Sequence, residues 1–578
     1  MMKQTISFLF LLLPFYSLAQ LTGRIVNEHR EGIAFASVIE KGSGIGTNTD
    51  SAGYFVLRGV HRFPVTLVAS HVGYASRERL IRSEHGGEIV LQLPLLYRAD
   101  TIVVTARRRK ERLQDVPIPV SVIGGSQLDL TGAYNVNYVK EYVPSVQLYS
   151  SNPRNTGVNI RGLGSPFGLT NDGLDPGVGF YVDGVYIARP AAATLDFIDI
   201  DRIEVLRGPQ GTLFGKNTTA GAINITTRKP EFRPGGNFEV SYGNYGFIQA
   251  KSSFTGPLSK KLAARFSFSG TQRDGVVKNI RTDQEINDIN NLGFHGQLLY
   301  KPSEFTTVTF SADATRQRPN GYAQVIAEVV PTLRPAYRQF DAIIADLGYK
   351  LPSQNPFDRI TDTDTPWRSD NDLGGASVNV ETRAGNGTLT STTAWRYWNW
   401  NPSNDRDFTG LQALAKSQNP SKHRNWSEEV RYSGQVSDRL SGVAGLFYIH
   451  EDLRTNGTEE SGKDQWRFIQ NSTDSNWKTP GLLDGYGAHT NSVIRSESAA
   501  FFANADWEIA THVHVMPGLR YNYDRKDVTY DRETYGGLQT TDPDLIKLQQ
   551  VAYSNQAFAT GVDQTHFTYQ LTLSYRPG

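Results

Sequence analysis

From about residue 230 to the C-terminus, apolar and polar positions alternate with a period of two. Leu262, Ala264, Phe266 and Phe268 alternate with Ala263, Arg265, Ser267 and Ser269. Val513, Val515, Leu519, Tyr521 and Tyr523 oppose His512, His514, Arg520, Asn522 and Asp524. Phe567, Tyr569, Leu571, Leu573 and Tyr575 oppose Thr568, Gln570, Thr572, Ser574 and Arg576. Successive side chains of a strand point to opposite faces, so each stretch predicts a strand with one apolar and one polar face. About twelve such strands are expected by this criterion. Tight connections near 256–260, 302–304, 385–387, 436–439 and 508–511 alternate with long polar excursions near 276–290, 317–371, 401–423, 453–493 and 526–564. Short turns on one rim and long loops on the other are what an up-and-down transmembrane β-barrel requires. Tyr397, Trp398, Trp400, Trp507, Tyr521 and Tyr523 near strand ends fit interfacial aromatic girdles.

The N-terminal part has a different texture. Short strands are expected at 21–26, 36–40, 54–57, 65–70 and 88–93, with the turn signal Asp50-Ser51-Ala52-Gly53 before one of them. That pattern predicts a small β-sandwich. The heptad Asp100-Thr101-Ile102-Val103-Val104-Thr105-Ala106 follows, and then the basic run Arg107-Arg108-Arg109-Lys110. By itself this reads as a linker with one stray strand and a solvated charge run. An exposed β-prone heptad is also a suitable ligand for strand addition to another protein's sheet edge. Residues 115–229 are rich in glycine and short β-branched strands, with a helix expected at 136–142. Their glycines form no phosphate loop. Gln210 stands where the first P-loop glycine belongs, Asn217 follows Lys216, and Gly162-Leu163-Gly164 lacks the third dinucleotide-site glycine.

Composition narrows the class. Of 578 residues 38% are hydrophobic and 20% charged, and 59 Lys and Arg nearly cancel 58 Asp and Glu. No basic field exists to hold nucleic acid. The 28 Phe, 27 Tyr and 8 Trp argue against disorder. After the first twenty residues no run of about 18 apolar residues appears, which excludes a helical membrane protein; the mean hydropathy of −0.41 still admits a barrel, whose strands show only alternate residues to lipid. Cysteine is absent, which removes disulfides and thiolate chemistry. At the N-terminus, Lys3, the apolar run 6–13, Pro14 and Ser17-Leu18-Ala19 predict a secretory signal peptide cut after Ala19.

Several motifs, taken together, resemble the TonB-dependent outer-membrane receptors. They are the heptad D-T-I-V-V-T-A, V-P-I-P-V-S-V-I (116–123), N-I-R-G-L-G (159–164), Y-V-D-G-V, and R-I-E-V-L-R-G-P-Q-G-T-L-F-G-K-N-T-T-A-G-A-I-N-I. Residues 20–97 are similar to the carboxypeptidase-regulatory-like domain, a non-catalytic module. The resemblance implies a mainly β chain: that β-sandwich (20–97), a TonB box and linker (98–114), an α+β plug (115–229) and an antiparallel transmembrane β-barrel (230–578). It implies that Asp100, Thr101, Ile102, Val103, Val104, Thr105 and Ala106 form the TonB box. It also implies that Arg161 and Arg207 are plug arginines facing barrel glutamates. Apical plug loops meet ligand first in this arrangement, which points to Asn171, Asp172, Tyr186 and Arg189. Expected partners are TonB with its inner-membrane energising complex, outer-membrane lipid and a scarce nutrient such as an iron chelate. The location is the outer membrane of a Gram-negative bacterium, with the sandwich in the periplasm.

No enzyme chemistry, cofactor or metal is implied. No Gly-x-Ser-x-Gly elbow occurs, and His512 and His514 form a pair without an identifiable third ligand. A lumen that holds a plug calls for about 22 strands. With about twelve expected, and with 574–578 reading like the start of another tight turn as 299–303 does, the sequence reads as a truncated receptor. Its long plug motif resembles the ferric-siderophore and iron-complex branch. Saccharide import, a passive porin or adhesin, and a non-functional remnant stand beside that reading.

Overall fold

The computed structural model describes residues 19–28, 30–60, 63–83, 89–94, 102–150, 152, 156–164, 172–189, 196, 198–470, 473 and 475–575. The expected signal peptide falls almost wholly outside them. Two compact units are present: residues up to Val104 with Glu111–Asp115, and Thr105–Lys110 with Val116–Gly578.

The first unit contains β1 (Ala19–Val26), β2 (Ser37–Glu40), β3 (Gly46–Asn48), β4 (Tyr54–Val60), β5 (Val65–His71), β6 (Tyr74–Ile81) and β7 (Ile89–Gln92). They form two sheets, in the orders β4-β1-β7 and β3-β2-β5-β6. Leu21, Ile25, Val38, Phe55, Leu57, Val65, Leu67, Ile89 and Leu91 pack between them. The five expected strands are all present. β6 went unread because Y-A-S-R-E-R-L-I is polar on both faces and carries no period-two signal. The Asp50 turn closes as its chemistry dictates: its Oδ1 accepts the backbone N–H groups of Ala52 and Tyr54 at 2.9 and 2.8 Å. Gly53 adopts φ +85°, where a Cβ would lie 2.6 Å from the Ile25 carbonyl. The hairpin of β8 (Val103–Val104) and β9 (Glu111–Arg112) belongs to the same unit.

In the second unit, a mixed sheet joins β10 (Val120–Gly124), β14 (Val178–Val182), β15 (Val185–Ile187), β16 (Ile200–Arg207) and β17 (Gly221–Thr227), in the order β10-β16-β17-β14-β15. A smaller sheet orders β11 (Val146–Ser150), β12 (Thr156–Ile160) and β13 (Leu163–Gly164). Helices α1 (Gly125–Leu130), α2 (Val139–Tyr142) and α3 (Gly211–Phe214) are short. Ile123, Leu128, Val136, Val146, Ile160, Phe180, Ile203 and Ile223 build the core of this plug.

A 13-stranded sheet follows, in which one short strand (Leu414–Gln418) lies off the path and the other twelve are hydrogen-bonded in series. Phe266, Phe294, Phe310, Trp395, Trp426, Leu446, Phe501 and Tyr521 are exposed on its outer face. Ser267, His295, Gln297, Ser311, Asn425 and Glu429 are buried on the inner one, where the plug sits. Among the described residues the sheet is open: Gly235–Gly243 and Gln556–Tyr575 each pair on one side only. Two expectations change here. The strands Gly487–Ala510 and Val513–Tyr535 run 24 and 23 residues, so much of the predicted loops 453–493 and 526–564 is strand. Both faces are wet beyond the bilayer, so the ladder continues where the hydrophobic alternation stops. Trp398 and Trp400 belong to no girdle; they point inward, donating Nε1–H to Asn371 Oδ1 (2.6 Å) and Ser369 Oγ (2.9 Å).

Leu446 tests the lipid-facing assignment. Leu446→Arg should destabilise the barrel by about 2–4 kcal/mol, the cost of a cation near the bilayer midplane. Urea titration in lipid vesicles measures it.

Candidate functional site

Asp100 and Thr101 lie outside the described residues. Val103 is exposed, whereas Val104 and Ala106 are fully buried. The β8–β9 hairpin is extended by Leu113, whose N–H donates to the Ile102 carbonyl at 2.8 Å. At Thr105 the chain is held by Glu204 of β16. The Thr105 N–H lies 3.0 and 3.1 Å from the two carboxylate oxygens, and its hydroxyl 3.3 and 3.2 Å. Glu204 is fully buried and also accepts from Arg202 Nε at 2.8 Å. Asn224 Nδ2 completes the cradle, 3.0 Å from the Thr105 hydroxyl. A carboxylate bonded to a backbone N–H in this way makes a charge-assisted hydrogen bond.

The basic run is not a solvated linker. Arg107 and Arg109 both reach Asp506 Oδ2, at 3.2 and 3.1 Å, and Arg109 also donates to Ser441 Oγ at 2.8 Å. Arg108 pairs with Glu429 at 3.4 Å, its guanidinium 4.8 Å from the Tyr181 ring centroid and 4.4 Å from that of Phe214. Arg107 and Arg108 are only 5% and 8% exposed. Their acidic partners sit more than three hundred residues away, so local sequence could not reveal the pairing. The histidine pair dissolves as well. His512 occupies a turn at φ 67°, and His514 Nδ1 contacts Asp506 Oδ1 at 2.7 Å. Among the described residues no group of three His, Asp or Glu is arranged to hold a metal ion.

A second charged cluster lies where the plug meets the lumen wall. Lys216 stands 3.7 Å from Glu451 and 3.8 Å from Asp524. His423 contacts Glu451 at 3.2 Å. Lys526 donates to the Gly173 carbonyl (2.8 Å) and pairs with Asp175 (3.1 Å). Burial works against the Lys216 ammonium, but Glu451, Asp175 and Asp524 together hold its pKa above the ordinary lysine value. Sequence reading weighed Lys216 only as a failed phosphate-loop lysine. The signal was its isolation, since it is the sole charged residue between Arg207 and Arg228.

The expected ligand contacts fare unevenly. Asn171 lies outside the described residues. Tyr186 is buried, accepting from Asn217 Nδ2 at 2.6 Å, rather than presented on an apical loop. Arg189 is buried too, 3.7 Å from Asp172, whose Oδ2 accepts from Thr455 on the wall at 2.7 Å. Neither Arg161 nor Arg207 forms an ion pair with a described residue. Arg161 is exposed in a turn at φ 56°, and the partly buried Arg207 leaves its Nε without a hydrogen-bond partner. One observed plug–wall lock uses the opposite polarity. Asp199 of the plug binds Arg265 (Nη2 at 2.8 Å), Ser253 (2.8 Å) and Ser267 (2.6 Å) of the wall. Within the plug, Asp183 takes Lys229 at 3.0 Å and the Thr227 hydroxyl at 2.6 Å.

These aspartates titrate differently. Burial opposes ionisation of Asp183 and Asp199, but Lys229 in one case and Arg265 in the other outweigh it and keep both carboxyls below the usual value. Asp196 has no such cation in contact among the described residues. Burial pushes its pKa up to about 7, against hydrogen bonds from Asn291 and Gln317.

Residues 112–222 match the TonB-dependent Receptor Plug Domain, and residues 21–104 the CarboxypepD_reg-like domain. The chain is 30% identical over 165 residues to the pesticin receptor of Yersinia pestis, covering 28% of this chain and 24% of that protein. It is 33% identical over 189 residues to the iron-regulated outer membrane virulence protein of Vibrio cholerae, covering 30% of this chain and 28% of that protein. The matched region therefore spans about a quarter of these relatives. The ferric yersiniabactin uptake receptor from Yersinia pestis superposes with a TM-score of 0.62 at 16% identity, over 79% of this chain and 62% of that one, which shows a shared fold. A plug seated on the inner face of an antiparallel sheet defines the fold class as that of a plugged β-barrel. Residues 112–222 of this chain are thus a plug domain of the kind found in TonB-dependent receptors, and one of the similar relatives is itself named an outer membrane protein.

Removing Asp506 strands Arg107 and Arg109, and breaking a buried pair costs about 3–5 kcal/mol. Asp506→Ala should therefore open residues 107–110 to trypsin faster than in the native protein; timed digestion with mass analysis of the fragments decides. Asp196 gives a pH test. Its folded pKa of about 7 exceeds the unfolded value of ~3.9, so the folded state binds the extra proton and stability falls as pH rises through that window. The Tm difference between pH 5 and pH 8 should shrink in Asp196→Asn.

Proposed function

We propose that the protein imports a scarce iron complex, a ferric siderophore, across the outer membrane, with TonB supplying the work. The observation that carries this reading is the anchoring of the heptad's end on the plug itself, through Thr105 and Glu204. A pull on residues 100–106 loads that bond first, then the Arg107–Arg109 contacts to the wall. TonB would engage the heptad by adding a strand to it, a pairing that needs only backbone N–H and C=O groups. Val103 and Val104 are already paired in the β8–β9 hairpin, and the Thr105 N–H is already held by Glu204, so the box must leave these bonds before a partner strand reaches it. The iron-complex cargo is supported by what the relatives' names state: an iron-regulated outer membrane protein and a ferric yersiniabactin uptake receptor.

The heptad decides the mechanism. Val103→Pro removes a backbone donor from the added strand. It should abolish uptake of radiolabelled ferric siderophores by iron-starved cells while leaving surface binding intact. Uptake indifferent to this change and to a proton uncoupler would show passive permeation instead. Uptake that depends on Val103 for saccharides but not for iron chelates would move the cargo to the glycan class.

A further inference from the structure

The segment Gly211–Asn217 touches both charged regions described above. At its lower end, the Phe214 ring lies 4.4 Å from the Arg108 guanidinium and 5.0 Å from the Tyr181 ring, edge-on. The Phe214 carbonyl accepts the buried Tyr181 hydroxyl at 2.7 Å. At its upper end, Lys216 stands between Glu451 and Asp524, and Asn217 donates to the Tyr186 hydroxyl. Between the two ends the backbone has no slack. Gly215 sits at φ +86°, where a Cβ would come 2.6 Å from the Arg520 guanidinium. Arg520 itself lies between the Phe447 and Phe502 rings, at 5.6 and 5.5 Å. Thr218 Oγ1 closes the turn on the Gly215 carbonyl at 2.6 Å, and Thr212 bonds Gln570 of the wall at 3.1 Å.

We propose that residues 211–217 form a strut that couples the lumen charge cluster to the N-terminal anchor, with Lys216 and Phe214 as its positioning residues. The ends are two residues apart, so a displacement of the Lys216 ammonium is carried by the backbone to the ring that holds Arg108. An oxyanion reaching the lumen cluster competes with Glu451 and Asp524 for Lys216, which gives the strut a cause to move. Energetic coupling of this kind needs a measured response at one end to a change at the other, not proximity alone. The proposal rests on reading residues 100–110 as the end that faces TonB.

The test exploits the absence of native cysteine. A nitroxide on Lys110→Cys, at an exposed position beside Arg109, reports the anchor in the full chain. Its electron paramagnetic resonance spectrum separates mobile from immobile populations. Lys216→Met should raise the mobile fraction several-fold, Lys216→Arg should restore the native spectrum, and Lys526→Met, the same charge loss off the strut, should leave it unchanged. A second label on Gln127→Cys, exposed on α1 of the plug, should stay as it was in every variant. An unchanged Lys110 label in Lys216→Met overturns the proposal. So does an equal response to Lys526→Met, or loosening at Gln127, which would mean that the substitution merely unfolds the plug. The measurement needs neither TonB nor ligand, so a failure here leaves the import reading standing. Uptake indifferent to Val103→Pro would conversely leave the strut standing.

Discussion

A charge taken into the lumen must find its opposite there, because an unpaired buried ion costs several kcal/mol. Neither the plug nor the wall meets this constraint alone. Asp199 needs Arg265; Arg107 and Arg109 need Asp506; Arg108 needs Glu429; Lys216 needs Glu451 and Asp524. The plug is therefore specified by the wall it faces. This form of attachment is also reversible. An ion pair pulled apart in a wet lumen exchanges its partner for water, whereas an apolar interface of the same size would leave bare hydrocarbon. A plug held by charges can be seated firmly and still be moved.

The apolar contacts are placed to preserve that separability. Ile123, Leu128, Val136, Ile203 and Ile223 pack within the plug and keep it one body. The boundary with the wall is polar: Thr227 and Asp183 meet Gln297, Asp196 meets Asn291, and Thr212 meets Gln570. The plug thus keeps its own core while much of its contact with the wall is made of exchangeable hydrogen bonds.

The wall was legible in the sequence because lipid forces one face of each strand to be apolar, and alternation follows. Twelve strands in series match that reading. Legibility ended where the forcing ended. Above the bilayer the ladder of Gly487–Ala510 and Val513–Tyr535 continues on backbone bonds alone, and residues that looked like loop are strand. The plug's existence was legible from its motifs, but its attachments were not. Arg161 and Arg207 carried the family resemblance, while the arginines that pair with the wall are Arg107, Arg108 and Arg109, whose partners come from distant strands. Tyr186 and Arg189 sit in a stretch that reads as an exposed turn, yet both are buried, Tyr186 against Tyr181 and Asn217 and Arg189 against Asp172. Which charge meets which is a property of the folded structure, not of local spacing.

The length of the tallest strands sets a height. Twenty-four residues at Gly487–Ala510 make about 80 Å of extended chain, or about 60 Å along the normal at a 45° tilt. The apolar band they cross is only about 25 Å tall. The mouth of the wall is therefore carried on a rigid rim well clear of the lipid headgroups. The helix Pro543–Ala552 and the core of Trp477, Leu482, Leu483 and Tyr486 cap that rim. Whatever approaches that rim is met first in open water, clear of the membrane surface.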